Sequence, residues 1–502
     1  MTPGSASFDI ADQPVPEAGL RRAAVAGVAW RGLSYFVGKA LVFVSTVVLA
    51  RLLMPSDFGV VGLALVFIAY IDGATDLGVA EALVYMGRDA RREDAAFSLS
   101  LLWSGALTGI AFLAAPVVAN FFHRPDITTM FRVLSLSLLI GGTGEVPDAL
   151  LRKALLFRRK MASDLARVLV QGITSIVLAV AGLGPWALVY GYLGGGIVWS
   201  AVMWALAGYR PGRAFWRPGW AMVRPLLAYG VPVAGNTILL SLVFDIDYLI
   251  IGRRLGARPL GLYTLGFRIP EIAIINVFYV LSAVAFPLFS KARMDPVRLR
   301  RGYLTSIRLT TVYGVAAGVS LALVAPMLVT VVFGGKWRGS IVALEGLALY
   351  AAFRSLGIGA VDVYKGIGRP RLAFASSLVR LGVLVPSLLF AVRFGIKGVA
   401  WAQAIVALVL AVGMQALATR ILGISYRRVA SALVPAVAVG IGTAVGAGAV
   451  RLFVPGPPAM RLALALVLGG GAGLVAIRLA GRGFLREIRS LVRRKGAEVP
   501  VP

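Results

Sequence analysis

Arg31, Tyr35 and Lys39 recur every four residues inside a long apolar stretch, so on a helix they form one polar stripe. Basic groups in such a setting hold anions through charge-assisted hydrogen bonds, and a diphosphate is the headgroup this set fits. Arg268, Arg354 and Arg380 stand in three further apolar stretches and extend the same chemistry. Acids lie at comparable depth. Asp72 and Asp76 are one turn apart, Asp245 and Asp247 flank Ile246, and Glu345 and Asp362 share a stretch with Arg354. Glu145 and Asp148 close the run Gly141-Gly-Thr-Gly-Glu-Val-Pro-Asp148, whose glycines and proline predict a broken helix. These acids suit a coupling cation, or they hold the arginines between transport cycles. A charge at the centre of a membrane helix costs about 2.5–3.5 kcal/mol on insertion scales, so each must face protein or water. Any one pair reads equally well as an inert salt bridge between helices. Charges of both signs on many stretches, with Arg167 and Glu271 among them, describe a polar interior of the kind a transporter needs.

Other chemical signatures lack their context. Gly182-Leu-Gly-Pro-Trp-Ala187 fits a dinucleotide fingerprint in letters, but no βαβ unit surrounds it. Asp245-Ile-Asp247 resembles the acidic pair that holds a metal and a nucleotide-sugar, yet it lies near the outer end of an apolar stretch, away from such substrates. His123 is the single histidine, and cysteine is absent, so neither a metal site nor thiolate chemistry is expected. No catalytic constellation and no cofactor site emerge, and the chain reads as a non-enzyme.

The elements that must position these charges are legible in the hydropathy. Hydrophobic residues make up 59% of the 502, and the mean hydropathy is +0.85. The chain therefore reads as an all-α polytopic membrane protein with about fourteen spans. They run over 24–50, 58–82, 96–119, 130–151, 164–181, 186–207 and 227–251, then 263–290, 309–333, 341–364, 373–392, 398–419, 430–450 and 462–480. The net charge of +29 comes from Lys and Arg placed between the spans, with Arg152–Lys160 and Lys291–Arg308 as prominent runs. No basic domain stands apart, so lipid headgroups rather than nucleic acid are the expected partner. By the positive-inside rule both termini are cytoplasmic. Residues 1–23 read as a disordered tail without a signal peptide, and Arg21-Arg22 as anchoring charge rather than an export signal. Residues 481–502 begin as a basic amphipathic helix suited to an anionic leaflet.

The chain also repeats. Arg51-Leu-Leu-Met-Pro-Ser-Asp-Phe-Gly59 matches Arg253-Arg-Leu-Gly-Ala-Arg-Pro-Leu-Gly261, and Gly182-Leu-Gly-Pro-Trp-Ala-Leu188 matches Gly395-Ile-Lys-Gly-Val-Ala-Trp401. The shared order predicts two six-helix lobes, 24–207 and 227–419, around a central cavity. A linker over 208–226 joins them, and an additional helix pair over 430–480 follows.

Ala50-Arg-Leu-Leu-Met-Pro-Ser-Asp-Phe-Gly59 and Thr75-Asp-Leu-Gly78 resemble the opening of lipopolysaccharide and exopolysaccharide flippases. These form the polysaccharide transporters of the multidrug/oligosaccharidyl-lipid/polysaccharide exporter superfamily. Asp247-Tyr-Leu-Ile-Ile-Gly-Arg-Arg-Leu-Gly256, Leu260-Gly-Leu-Tyr263, Phe157-Arg-Arg159 and Gly366-Ile-Gly-Arg-Pro-Arg371 are similar to the same family. The likeness covers roughly residues 20–420. It implies twelve core helices that alternate access and carry an undecaprenyl-diphosphate-linked oligosaccharide across the bacterial inner membrane, for O-antigen, capsule or exopolysaccharide. It also implies polysaccharide polymerase and chain-length machinery as partners of a monomer. The last two spans resemble the extra pair of some relatives, lipid II flippases included. The alternative within the superfamily is a multidrug/cation antiporter, which prefers an acidic, aromatic-lined cavity; the intramembrane Lys and Arg favour the flippase. A polymerase or glycosyltransferase would need a large extramembrane domain, and no segment is long enough for one.

Overall fold

A computed structural model describes residues 37–75, 78–85, 89–154, 156–212, 215 and 219–480 of the protein, and these are helical with no strand among them. Helix α1 covers 37–52. It is followed by α2 (Pro55–Thr75), α3 (Val79–Tyr85), α4 (Ala90–Phe121), α5 (Ile127–Lys153), α6 (Phe157–Val180) and α7 (Trp186–Ala207). Then come α8 (Trp220–Leu255), α9 (Ala257–Pro270), α10 (Asn276–Ala292), α11 (Pro296–Leu328) and α12 (Ile341–Gly366). The chain closes with α13 (Pro370–Ala391), α14 (Gly395–Leu422), α15 (Tyr426–Phe453) and α16 (Pro458–Ala480). Among the described residues, 11 segments are long and apolar enough to cross a membrane. One of them, Pro370–Leu422, holds both α13 and α14. Among the described residues, the apolar stretches read from the sequence fall on helices, apart from the interruption described below. Arg31, Tyr35, Asp76 and the basic segment from residue 481 lie outside the described residues.

Two breaks fall where hydropathy does not place them. The stretch 58–82 is interrupted after Thr75, and Gly78 turns the chain at φ +65° into α3. A Cβ on Gly78 would meet the Gly230 carbonyl oxygen at 2.5 Å, so the turn also admits a backbone neighbour. Following Pro270, residues Glu271–Ile275 widen into a π-helix, with the Asn276 N–H donating to the Glu271 carbonyl.

The break expected in Gly141–Asp148 is absent, because α5 runs through it. Pro147 cannot donate to the Thr143 carbonyl four residues back, but the Trp204 indole N–H does so at 2.8 Å. The glycines serve packing instead. A Cβ on Gly142 would sit 2.1 Å from Ser104 Oγ, and one on Gly144 would sit 2.3 Å from the Trp199 ring. Helices α4 and α7 thus approach α5 closely, and tertiary contact repairs what the local sequence would break.

By contact the described chain divides into two units, the second comprising Leu53–Leu63 and the chain from Val243 onward. Within this second unit the repeat becomes physical. A Cβ on Gly59 would meet the Ala257 carbonyl oxygen at 1.7 Å, and one on Gly261 would meet the Pro55 carbonyl oxygen at 1.9 Å. Gly59 and Gly261 are matched residues of the repeat, and Pro55 and Ala257 stand at the same register. The two helices therefore cross backbone on backbone about a local two-fold axis. Helices α15 and α16 pack on each other and on α11, burying Val324, Met327, Ala447, Val450 and Ala465. The Arg451 guanidinium on α15 pairs with Glu345 on α12 at 3.0 Å. In the first unit the Tyr209 hydroxyl and the Gly212 N–H both donate to Asp94 Oδ1, at 3.1 and 2.9 Å, which pins the chain leaving α7 to α4.

Candidate functional site

In the second unit six helices, α8, α9, α10, α12, α13 and α14, bring polar side chains together. Helix α12 carries Tyr350 and Arg354 four residues apart, hence on one face. The Arg354 Nη1 donates to the Tyr350 hydroxyl oxygen at 2.9 Å, and the Arg380 Nη2, from α13, donates to the same oxygen at 2.9 Å. Tyr350 is only 3% exposed, and both arginines are half-buried. The Tyr279 hydroxyl on α10 lies within hydrogen-bonding reach of Arg354. The network continues from Arg380 toward Asp247 on α8, which lies within Coulombic range. Asp247 is 3% exposed and accepts from the Tyr263 hydroxyl at 2.6 Å and from Gln403 Nε2 at 3.0 Å. Aromatic rings link the parts: Tyr248 meets Tyr263 edge-on at 5.7 Å, and Phe267 lies 6.3 Å from both Tyr248 and Tyr350.

The cluster sets two guanidiniums beside a buried carboxylate. Two guanidinium nitrogens bound to one oxygen are no more than roughly 6 Å apart. At an effective dielectric of about 20, like charges at that separation repel by roughly 3 kcal/mol. The phenol accepts from both without carrying charge, and the Asp247 carboxylate lies within Coulombic range of Arg380. At the neighbouring π-helix, Arg268 Nη1 donates to Glu271 Oε2 at 3.1 Å, and Asp245 and Glu271 face one another near Tyr248.

The remaining predicted residues are distributed elsewhere. Glu345 holds Arg451 and so ties the terminal helix pair to α12. Asp362 lies two turns beyond Arg354 on α12, within reach of the Ser282 hydroxyl on α10. In the first unit Asp148 pairs with Arg152 at 2.8 Å and with Lys160 at 2.5 Å, while Arg152 also reaches Glu81 at 3.4 Å. The cations held by Asp148 and Glu345 are therefore Arg152, Lys160 and Arg451, not the arginines proposed for the anion. Glu145 is half-buried one turn before Asp148. Asp72 is exposed and lies near Arg167, whose guanidinium sits 5.7 Å from the Tyr192 ring centroid. Lys39 is half-buried on α1, beside Gly38, whose added Cβ would lie 3.7 Å from Leu165 on α6. Among the described residues no group of three His, Cys, Asp or Glu side chains is placed to hold a metal ion.

Sequence reading missed Tyr350, Tyr263, Gln403 and Tyr192. Tyr350 carried a usable signal, since it precedes Arg354 by the same four residues that space Arg31, Tyr35 and Lys39. Gln403 and Tyr263 are uncharged, and nothing local distinguishes them from ordinary polar residues near a span.

Comparison with known proteins follows the same lines. The family described as polysaccharide biosynthesis protein matches residues 48–342. The lipopolysaccharide biosynthesis protein WzxC of Escherichia coli (strain K12) is 27% identical over 381 residues, covering 74% of this chain and 75% of the relative. The succinoglycan biosynthesis transport protein ExoT of Rhizobium meliloti (strain 1021) is 26% identical over 361 residues, covering 70% and 71%. Among solved structures, the lipid II flippase MurJ in an inward closed conformation superimposes with a TM-score of 0.74 at 11% identity, covering 90% of this chain and 99% of that one. At that identity the likeness is one of fold.

Proposed function

The chain belongs to the polysaccharide biosynthesis protein family, and from that membership we propose that it is a flippase for a lipid-linked oligosaccharide. Its substrate is an undecaprenyl-diphosphate-linked glycan destined for a surface polysaccharide, moved across the bacterial inner membrane by alternating access. The termini face the cytoplasm, and polymerase and chain-length machinery receive the product. One observation carries the reading: Arg354 and Arg380, on two different membrane-spanning helices, converge on a single neutral oxygen at 2.9 Å each. Guanidinium donors from two helices suit a diphosphate, which accepts charge-assisted hydrogen bonds, better than they suit a cationic drug. Asp72, Asp76, Asp245, Asp247 and Asp362 are the acids proposed for coupling. Lys39, Arg31, Tyr35 and Arg268 are proposed to extend the grip on the headgroup. The names of the relatives, a lipopolysaccharide biosynthesis protein and a succinoglycan transport protein, support the substrate class.

Deleting the gene in its host, then assaying surface polysaccharide and lipid-linked oligosaccharide together, tests the proposal. The expected result is loss of a surface polymer with accumulation of its undecaprenyl-linked precursor. An unchanged polysaccharide profile with new sensitivity to cationic dyes would replace the flippase by a drug exporter. Complementation with Lys39→Ala or Arg354→Ala is expected to fail at normal protein levels. Normal export in both variants would sink the headgroup grip.

A further inference from the structure

We propose that the first unit carries a sugar-recognition face, built by Tyr192 and Trp199 on α7 with Asp164 and Arg167 on α6, which reads the glycan portion of the lipid-linked oligosaccharide. The inference rests on the flippase reading and adds to it the residues that tell one glycan from another.

The face begins with the periodicity of α6. Asp164, Arg167, Gln171 and Thr174 follow at intervals of three or four and line one side of that helix. Leu169, Ile173, Val177 and Val180 line the opposite side and are exposed. The apolar side suits lipid, so the polar side turns toward protein and water. Helix α7 meets the polar side with Gly191, Gly194 and Gly195. A Cβ on Gly195 would lie 2.8 Å from Gln171 Cβ and 3.0 Å from the Arg167 carbonyl oxygen, so the two helices approach closely there. Tyr192 and Trp199 stand two turns apart on one side of α7, about 10 Å along its axis, with Gly195 and Gly196 between them on that side. The Arg167 stem crosses this gap, its Cγ 3.5 Å from the Cβ position of Gly195. Its guanidinium reaches 5.7 Å from the Tyr192 ring centroid. The Trp199 indole N–H donates to Asp164 Oδ1 at 3.2 Å, and the ring rests over Gly144 of α5, where an added Cβ would overlap it. Asp72 on α2, exposed and near Arg167, brings a second carboxylate. Charge open to lipid at membrane depth is costly, so the open sides of these acids face water.

A pyranose has C–H-rich faces that stack on aromatic rings and a rim of hydroxyls that both donate and accept. Tyr192 and Trp199 supply half-buried rings. Asp164 is half-exposed and keeps acceptor capacity beyond the Trp199 N–H and Lys160 Nζ, which lies 3.6 Å away. Arg167 keeps N–H donors beyond its contact with Tyr192. The bonds already present hold rings and charges in register, and the remaining donors and acceptors serve hydroxyls. A site that hydrogen-bonds a substrate hydroxyl rejects analogues that lack it, which is how such a face discriminates. Arg167, set between the rings, disfavours a cationic ligand in the same place.

Purified protein in nanodiscs is titrated with undecaprenyl diphosphate and with the lipid-linked oligosaccharide extracted from the deletion strain, as wild type, Tyr192→Leu and Asp164→Asn. Wild type is expected to bind the oligosaccharide lipid more tightly than undecaprenyl diphosphate. Each variant is expected to lose about tenfold toward the oligosaccharide lipid, with affinity for undecaprenyl diphosphate unchanged. Should Tyr192→Leu fail to fold, Asp164→Asn, a nearly isosteric change at a half-exposed position, carries the test. An undiminished preference for the oligosaccharide lipid in the folded variants, or equal binding of the two lipids by wild type, would overturn the sugar face and leave the flippase reading intact. Ethidium that displaces the oligosaccharide lipid from wild type and no longer binds Asp164→Asn would overturn it in favour of a cationic ligand. Wild type that binds neither lipid would overturn the flippase reading, and the sugar face with it.

Discussion

Substituting Gly59 by alanine should destabilise the protein as strongly as substituting its repeat partner Gly261, although the two lie on different helices. The new methyl carbon would stand 1.7 Å from the Ala257 carbonyl oxygen in the first case and 1.9 Å from the Pro55 carbonyl oxygen in the second. Carbon and carbonyl oxygen come no closer than about 3.3 Å in favourable contacts, so the helices must separate by roughly 1.5 Å. No rotamer change relieves the clash, because both neighbours are main chain. Overpacking of this kind costs about 1–3 kcal/mol or somewhat more, against which alanine recovers up to about 1 kcal/mol of helix propensity. A net loss of about 2 kcal/mol is expected for each variant. Gly62→Ala is the internal control, since its methyl would meet only Leu260 Cδ2 at 3.7 Å, an ordinary contact. That variant should be neutral or slightly more stable. Because both glycines serve one crossing, the double variant should lose less than the sum of the singles. Thermal unfolding of the detergent-purified proteins, followed by size-exclusion fluorescence, measures all four. Wild-type stability in Gly59→Ala, or an equal loss in Gly62→Ala, would refute the backbone crossing.

Three further outcomes follow from particular bonds. Trp204→Phe removes the donor to the Thr143 carbonyl and should cost about 1–3 kcal/mol; Pro147→Ala in that background restores a main-chain donor and should recover much of the loss, again by thermal unfolding. Asp148→Asn withdraws the shared partner of Arg152 and Lys160 and should lower unfolding temperature and protein level together. A variant of normal stability that is selectively defective in export would instead make Asp148 a coupling group. Reversing the charge of either partner of the Glu345–Arg451 pair should separate the terminal helices from α12. Glu345→Arg or Arg451→Glu alone is expected to increase proteolysis near the link between α14 and α15, and the two together to suppress it.

Much of the architecture was legible in the chain because lipid imposes its demand residue by residue. Span length and hydropathy identify a membrane helix without knowledge of its neighbours, and among the described residues the stretches read that way fall on helices, the turn at Gly78 excepted. The match of Arg51–Gly59 to Arg253–Gly261 could also be read in the chain, and the helices that carry Gly59 and Gly261 meet backbone on backbone, although the contact units do not follow the lobes expected from it. Misreadings arose where a neighbour supplied what the local sequence lacked. Gly141–Asp148 looked breakable because its proline and glycines were judged alone; Trp204, Trp199 and Ser104 make the same residues a straight and closely packed helix. Charge showed where to look and not what would meet. Arg354 and Arg380 could be singled out from the cost of a buried cation, but whether that charge met carboxylate, phenol or lipid depended on helices far apart in sequence. Thus Asp148 and Glu345 proved to hold Arg152, Lys160 and Arg451, while the two central arginines share Tyr350. Helicity and membrane spanning can be read residue by residue, because transfer free energy adds up along a chain. Which side chains meet a given charge follows from packing, because hydrogen bonds and Coulomb forces act over a few ångströms between residues that come together once the helices have packed.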